Sequence, residues 1–145
     1  MVELDKTDRD IIAILSEENT TNNAIAEKLK ITEGTVRQRI KKLREAGVLK
    51  IRGLINPEIL ENQQLAFIMI TLAEARLLDS KATEISQLNQ VLSVSLITGR
   101  YDLLIEVIVE SNKGLVNFLT DELSQINGIA HSETFMSLKS INKFI

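Results

Sequence analysis

The residues best suited to binding chemistry lie in the stretch Thr32 to Gly47, TEGTVRQRIKKLREAG. Between Lys28 and Arg52 the chain carries nine basic residues against two acids, a local charge of +7, although the whole chain is −3. The bases are Lys28, Lys30, Arg37, Arg39, Lys41, Lys42, Arg44, Lys50 and Arg52, and the acids are Glu33 and Glu45. Lys and Arg neutralise phosphates and release their counterions. We therefore interpret this stretch as a surface for double-stranded DNA.

The spacing of apolar residues predicts that this stretch is a helix. Val36, Ile40 and Leu43 recur at steps of four and three, which places them on one packed side and leaves the basic residues on the other. Thr32 is predicted as the N-cap, and Gly47 lies where a helix end favours a residue that tolerates positive φ.

The outward residues of this helix divide into two predicted roles. Thr35, Gln38 and Arg37 lie on its N-terminal half, and we assign them to base edges because Gln pairs with adenine and Arg with guanine. Lys41 and Lys42 lie further along, and we assign them to phosphates, which set register without reading sequence.

Four other residues complete the predicted DNA surface together with the cap Thr32. Gly34 is consistent with close approach to bases and equally with a tolerated glycine. Arg39 lies beside the packed stripe, where it either contacts a phosphate or braces the domain through an internal acid. Lys50 and Arg52 alternate with apolar residues after the helix, and we assign them to backbone phosphates.

The order of elements around the basic helix indicates its class. A helix is predicted from about Thr7 to Glu18, capped by Asp5 or Thr7, and a second one from Asn23 to Leu29, capped by Asn22. Residues 48–55, VLKIRGLI, are predicted as a basic strand, the wing. Helix, helix, turn, basic helix and strand is the order of a winged helix-turn-helix. We assign residues 1–55 to this DNA-binding domain.

Composition narrows the class of protein. The chain has 145 residues, of which 44% are hydrophobic and three per cent aromatic, as expected for one or two small aliphatic domains. No apolar run is long enough to cross a bilayer, and the acidic N-terminus is unlike a secretory signal, so we expect a cytoplasmic protein with no membrane partner. The absence of cysteine excludes disulfides and thiolate metal sites.

The second half of the chain predicts a sheet with two helices. Asn56-Pro57 breaks the pattern, so residues 56–64 are predicted as a linker and residues 65–145 as a second domain. Strands are predicted at 65–72, 91–98, 101–109 and 129–138, with helices at 80–90 and 112–125, the second one capped. This βαββαβ order is ferredoxin-like, which makes the whole protein α+β.

Both faces of the predicted sheet are apolar. Phe67 and Met69 alternate with equally apolar neighbours, and Leu104 and Ile108 do the same on another strand. Two helices cover one face only, so we expect the other face to pair with a second copy in a two-fold homodimer.

Catalysis has little support in the sequence. His131 is the only histidine, and no second metal ligand, phosphate-binding glycine motif or serine nucleophile elbow accompanies it. We therefore expect no catalytic residue, metal or cofactor.

Three segments carry a resemblance to a known family. LDKTDRDIIAIL, IAEKLKITEGTVRQRIKKLREAGVLK and ITGRYDLLIEV are similar to the Lrp/AsnC (feast/famine) transcription regulators, over essentially the whole chain. The resemblance implies an amino-acid-responsive regulator that binds DNA. It also implies a C-terminal domain that dimerises, assembles into tetramers or octamers, and binds its effector between dimers.

Within this resemblance, the segment GRYD and the last strand become the candidate effector site. Gly99 permits a tight turn whose N–H groups face a ligand carboxylate, and Asp102 accepts from a ligand ammonium. Arg100 stands where many relatives carry an acid, and for Tyr101 the alternative is a plain β-turn that it forms with Asp102. The last strand adds a second wall in which Ser132 and Thr134 share one side and Glu133 has the other.

Two other functions remain open on the same scaffold. The first is an enzyme, because relatives that decarboxylate haem precursors share this architecture. The second is a ligand-sensing assembly protein without DNA binding, which the dense positive charge of the basic helix disfavours.

Overall fold

The computed structural model describes residues 3–145, and its contacts divide the chain into two compact units that meet between Gly53 and Leu54. The first unit consists of three helices and the second of a four-stranded sheet with helices. Across residues 3–145, none of the helices has the length and apolar character that crossing a membrane requires.

The first unit is a three-helix bundle around an aliphatic core. Its helices are α1 (Lys6–Glu17), α2 (Asn22–Leu29) and α3 (Glu33–Glu45). The fully buried side chains at its centre are those of Ile11, Ile25 and Val36, one from each helix. The predicted apolar stripe of α3 is therefore confirmed as the side that packs against the other two helices.

The helix ends are fixed by side-chain caps. Asp5 caps α1, one of the two predicted residues, and forms a reciprocal capping box with Asp8. The prediction that Asn22 caps α2 is wrong, because Asn22 is already helical and the hydroxyl of Thr21 accepts the N–H of Ala24. Two predictions for α3 are confirmed: Thr32 is its N-cap, and beyond its end Gly47 has φ 69°.

The predicted wing strand at residues 48–55 does not form in this chain. The N–H groups of Val48 and Leu49 both donate to the carbonyl of Leu43, so they complete the end of α3 rather than begin a ladder. The remaining residues up to Ile55 belong to no helix or strand, and Ile51 and Leu54 are about half exposed.

The second unit has the predicted βαββαβ order. Its elements are β1 (Gln63–Leu72), α4 (Leu78–Ser86), β2 (Val91–Leu96), β3 (Leu103–Glu110), α5 (Ser111–Asn117) and β4 (Ile129–Met136). The strands lie in the order β2-β3-β1-β4, and every neighbouring pair is antiparallel. The predicted α+β class with a ferredoxin-like second half is therefore confirmed.

The boundaries differ most at the second helix of this unit. The predicted capped helix at 112–125 begins at Ser111 without a side-chain cap, leaves α geometry after Asn117, and continues as a π-helical turn and a 3₁₀ turn to Gln125. Thr120 and Ser124 each bond back to the carbonyl four residues earlier, and such bonds compete with regular helix geometry. Elsewhere the observed bounds differ from the predicted ones by at most four residues.

Residues 56–64, predicted as a linker, lie within the second unit. Asn56 caps a single 3₁₀ turn at Pro57–Ile59, and Pro57 is buried. Strand β1 already begins at Gln63, two residues before its predicted start.

The helices cover one face of the sheet. Ile68 and Ile70 of β1 and Ile105 of β3 are fully buried, in one cluster with Phe118 and Ile85 from the helical segments. The opposite face carries half-buried apolar side chains from Phe67, Met69, Leu104 and Ile108, together with Phe135, which is 46% exposed. We call these five residues the open face.

The residues after β4 fold back onto their own unit. The N–H of Ser140 donates to Glu58 at 2.8 Å, and Lys143 forms an ion pair with Glu106 of β3. The N–H of Ile55 and the carbonyl of Ile145 are 3.0 Å apart, and the reciprocal bond has the same length. The beginning and the end of the second unit are thus hydrogen-bonded to each other.

Candidate nucleic-acid interface and effector loop

The start of α3 is an ordered, exposed helix end. The hydroxyl of Thr32 accepts the N–H of Thr35 at 3.2 Å, and the two hydroxyl oxygens are 2.8 Å apart. Gly34 is exposed, and a Cβ added there would come no closer than 4.0 Å to the Thr32 hydroxyl. The surrounding atoms therefore do not require glycine at this position, which favours a tolerated glycine over one needed for close approach to bases.

One exposed stripe of α3 contains the residues assigned to bases and phosphates. Thr35, Gln38 and Lys42 lie at steps of three and four, and Gln38, Lys41 and Lys42 are all exposed. They border a shallow groove of about 510 Å³ that Asp5 closes from the side of α1. The structure therefore places Thr35 and Gln38, two of the three predicted base-reading residues, on one surface with both predicted phosphate contacts. The third, Arg37, lies on the other exposed side of α3.

Arg39 is half-buried and binds two carboxylates at the start of α1. Its Nη1 donates to Oδ2 of Asp5 at 2.6 Å and to Oδ1 of Asp8 at 2.8 Å. Bonds from the Asp8 N–H and from the Arg39 guanidinium hold the pKa of Asp5 below its usual value. Asp8 is 5% exposed, so Arg39 neutralises an almost buried charge. This geometry favours the bracing role that the sequence left open, over the phosphate contact.

A second basic stripe lies on the other exposed side of α3. Arg37, Lys41 and Arg44 follow each other at steps of four and three, and they line a cleft of about 880 Å³ together with Lys50. Arg37 forms two hydrogen bonds with Glu33, and this contact lowers the pKa of Glu33. Arg44 was not among the predicted contacts, although the spacing from Arg37 could have identified it.

Lys50 and Arg52 are exposed, as a phosphate contact requires. They lie on the unpaired segment after α3, so no strand fixes their positions.

The candidate effector loop connects β2 to β3. The N–H of Ile97 donates to the carbonyl of Asp102 at 3.0 Å and closes the loop, in which Gly99 has φ 126°. Few residues other than glycine adopt this conformation. The N–H of Asp102 donates to the carbonyl of Ile70, and its Oδ2 accepts the N–H of Leu72 at 2.7 Å. The loop is thus anchored on β1 by the residue predicted to bind an ammonium.

Tyr101 connects the loop to the last strand. Its hydroxyl donates to Oε2 of Glu133, and this bond raises the pKa of the phenol. The guanidinium of Arg100 lies 5.6 Å from the centre of the Tyr101 ring, within reach of a cation–π contact. The predicted loop and Glu133 of the last strand are therefore joined directly.

Ser132 and Thr134, the other two predicted residues of the last strand, lie on the opposite face of the sheet from the Tyr101–Glu133 contact. Glu133 pairs with Met69 of β1, while Ser132 and Thr134 pair with Ile70 and Ile68 on the helix-covered side. The alternation that the sequence indicated is present, and it separates Ser132 and Thr134 from the Tyr101–Glu133 contact.

Within residues 3–145 no three His, Cys, Asp or Glu side chains are grouped closely enough to hold a metal ion. His131 is exposed on β4, opposite Thr71 of β1.

Comparison with known families assigns each unit separately. Residues 4–50 match the winged helix-turn-helix DNA-binding family, and residues 65–144 match the Lrp/AsnC ligand binding domain. The two matches agree with the three-helix and ferredoxin-like units that the structure shows.

Similar proteins with known names are transcription regulators. HTH-type transcriptional regulator FL11 of Pyrococcus abyssi is 34% identical over 143 residues, which cover 96% of this chain and 92% of that protein. Regulatory protein AsnC of Escherichia coli K12 is 27% identical, over 94% of this chain and 91% of AsnC. These relatives favour a regulator over the enzyme alternative.

Solved structures show the same fold. The structure of E. coli AsnC is 26% identical, with a TM-score of 0.67, over 96% of this chain and 95% of that one. Transcriptional regulator NMB0573 of Neisseria meningitidis, solved as a complex with L-Met, is 26% identical, with a TM-score of 0.70, over 97% and 94%. With its basic helix-turn-helix unit, its ferredoxin-like unit and these relatives, the chain belongs to the Lrp/AsnC family of transcriptional regulators.

Proposed function

We propose that this regulator binds double-stranded DNA as a homodimer and that an amino acid or a related small molecule modulates the binding. The observation that carries the DNA part is the exposed basic surface of α3. Gln38, Lys41 and Lys42 are accessible there, while the apolar side of the same helix is buried.

The first step of this mechanism is docking of α3 in the major groove. Gln38 reads base edges from the N-terminal half of the helix, while Lys41 and Lys42 contact phosphates. Arg37, Arg44 and Lys50 border the neighbouring cleft. They extend the phosphate contacts toward one flank of the site.

The second step is pairing of two copies through the open face. Half-buried aliphatic and aromatic side chains on one side of a sheet favour burial against an equivalent surface, and a two-fold dimer supplies it. Two DNA-binding units then address two half-sites, as dimeric helix-turn-helix proteins do. Further assembly into tetramers or octamers is part of the proposal through the family resemblance.

The third step is effector binding at the loop between β2 and β3. Backbone N–H groups around Gly99 bind the ligand carboxylate. Asp102 accepts the ammonium through Oδ1, since among the described residues its bond to Leu72 uses Oδ2. Arg100, Tyr101, Ser132, Glu133 and Thr134 complete the predicted site. The effector changes DNA affinity by binding one assembly state more tightly than another.

The DNA part is tested by fluorescence anisotropy of labelled promoter fragments over a series of salt concentrations. We expect affinity to fall steeply with salt and the slope to shrink by about one for each of Lys41→Ala and Lys42→Ala. Lys139→Ala, an exposed lysine of the second unit, is the matched control. Binding that is independent of salt, or equally weakened by the control, would refute the assignment of α3.

The effector part is tested by repeating the titration with a panel of amino acids on Asp102→Asn. Asparagine retains an acceptor for Leu72 but loses the charge that an ammonium requires. We expect the variant to bind DNA normally and to lose the response to the amino acid that affects wild type. An unchanged response would remove Asp102 from the site, and no response of wild type to any member of the panel would count against amino-acid modulation.

A further inference from the structure

A polar cavity lies at the end of the sheet opposite the effector loop. It has a volume of about 380 Å³ and is formed by the start of β1, the end of β3, the segment after α4 and the α5 region. Its polar side chains are four amides and two carboxylates, and among the residues that the structure describes no lysine or arginine lines it. They belong to Gln63, Asn89, Gln90, Asn117, Glu110 and Glu122. We call this cavity the amide pocket.

Gln90 is held in place at the wall of the amide pocket. Its backbone carbonyl accepts the N–H of Ile108 at 2.9 Å. In the side chain, Nε2 donates to Oε1 of Glu122 at 2.5 Å, and the other polar atom is Oε1 of Gln90 itself. This oxygen is buried and has no donor in residues 3–145.

Such atoms are few in the described chain. Three buried side-chain oxygens lack a hydrogen-bond partner, on Gln64, Gln90 and Glu106, and that of Glu106 is within ion-pair distance of the Lys143 ammonium. Burying a polar atom without a partner is unfavourable, so an unsatisfied acceptor beside a cavity indicates a missing donor.

The backbone beside the pocket adopts conformations that are rare for residues with side chains. Asn62 has φ 61° and Ser111 has φ 63°, and the Ser111 N–H donates to the Asn62 carbonyl at 3.0 Å. Gly114 lies in the wall of the pocket. A Cβ at this position would have its nearest neighbour at 3.7 Å, which is an ordinary contact, so glycine is not needed here to avoid a clash.

We propose that the amide pocket binds a small organic cation that carries ammonium or guanidinium N–H donors. Such a ligand donates to the carboxylates of Glu122 and Glu110, which balance its charge. It reaches the buried Oε1 of Gln90 when that side chain rotates away from Glu122. The volume accommodates several non-hydrogen atoms rather than one ion. An adjoining cavity shares Gln63 with the amide pocket and contains Lys113, so the proposed cation site does not extend into it.

The test uses the full chain and 1,4-diaminobutane as the probe, with ¹⁵N NMR of the side-chain amides. We expect the amide signals of Gln90 and Asn117 to shift and saturate below about 10 mM probe, the range of weak specific binding. Glu122→Gln removes the charge and supplies its own donor to Gln90, and it should weaken binding at least about tenfold, or 1.4 kcal/mol. Gly114→Ala, which adds a methyl group to the wall and suits a helix, should weaken it several-fold.

The control is Glu74→Gln, which removes the same charge from the same unit beyond the other end of β1. Binding unchanged by Glu122→Gln and Gly114→Ala, or weakened equally by the control, would overturn the proposal. No shift with the diamine or with methylguanidinium would also overturn it, as would saturation by Mg²⁺ or Ca²⁺ alone. The outcome is independent of DNA binding, which the anisotropy experiment measures separately.

Discussion

Arg39 and Asp8, 31 positions apart in the chain, are joined by a 2.8 Å hydrogen bond between α3 and the first turn of α1. The same guanidinium nitrogen also bonds to Asp5, the cap of α1. The helix that presents the basic surface is therefore attached to the acidic start of the unit by a cation that faces inward. Stability and DNA binding are assigned to different basic residues of one helix.

Replacing Arg39 by methionine should destabilise the first unit, because the carboxylate of Asp8 is left almost buried without its partner. We expect the free energy of unfolding to fall by about 2 kcal/mol, as for other buried polar groups that lose a charged partner. Urea unfolding followed by circular dichroism measures this loss. Lys42→Met removes an exposed charge from the same helix and should change stability by less than about 0.5 kcal/mol. Equal losses of stability in the two variants would contradict the bracing role. A weaker salt dependence of DNA binding for Arg39→Met would favour a phosphate contact for Arg39.

The pKa of Asp5 predicts a loss of stability in acid. In the folded state this pKa lies below 3.8, so the unfolded chain binds more protons as the solution is acidified. The stability that Asp5 contributes is present above pH 3.8 and is lost as the pH falls through the folded-state pKa. Asp5→Asn retains a capping side chain and removes the titration. Urea unfolding as a function of pH should therefore show a shallower acid dependence for the variant. Identical slopes in the two proteins would contradict the role of Asp5.

Gln38 and Lys42 are expected to differ in what they contribute to DNA binding. Gln38→Ala should weaken the preferred site by about 1–3 kcal/mol and relax the base preference at one position, with little change in salt slope. Lys42→Ala should weaken all sequences alike and reduce the slope by about one. Competition binding with single-base variants of a selected site distinguishes these outcomes. Unaltered base preference in Gln38→Ala would exclude Gln38 from sequence reading.

Tyr101 can be followed alone by ultraviolet absorbance, because the chain has one tyrosine and no tryptophan. Its hydrogen bond to Glu133 should keep the phenol protonated above the usual pKa of 10.0. Since the folded-state pKa is the higher one, this contribution to stability is complete below 10.0 and is lost as the pH rises through the folded value. Glu133→Ala should return the pKa of Tyr101 toward 10.0. If wild-type Tyr101 titrated like the tyrosine of the urea-unfolded chain, the bond to Glu133 would be absent.

The open face predicts that a charge at its centre prevents self-association. Met69→Glu should convert the proposed homodimer to monomer in sedimentation velocity at micromolar concentration, because an unpaired carboxylate is costly to bury at an interface. Val116→Glu places the same charge at an exposed apolar position on α5 and should leave the dimer intact. A monomeric wild type, or dissociation by both variants, would disprove this role of the open face.

The fold was predictable where periodicity and tertiary packing agree. The apolar spacing of Val36, Ile40 and Leu43 identified the packed side of α3. In β1 and β3 the two-residue alternation sorted the side chains onto two faces, but both faces are apolar, so the sequence did not indicate which one the helices cover. These patterns depend on residues near each other in sequence, so the sequence alone reveals them.

The failures arose where distant or competing contacts decide the structure. The wing strand at residues 48–55 had the right composition, but its first N–H groups are used by the carbonyl of Leu43. The predicted helix at 112–125 changes from α to π and 3₁₀ geometry after Asn117, and its apolar spacing gave no sign of that change. The roles of Arg39 and Asp102 depend on Asp8 and Leu72, each about 30 residues away, and no local pattern indicates such partners.

The paired backbone bonds between Ile55 and Ile145 give the second unit adjacent entry and exit points. A module whose two ends meet can be joined to another domain, or circularly permuted, without disturbing its sheet. A short linker between residue 145 and residue 54, with new termini cut into an exposed turn, would therefore preserve the four-stranded sheet. The same closure would allow the helical unit attached at Gly53 to be exchanged during evolution while the sheet unit is retained.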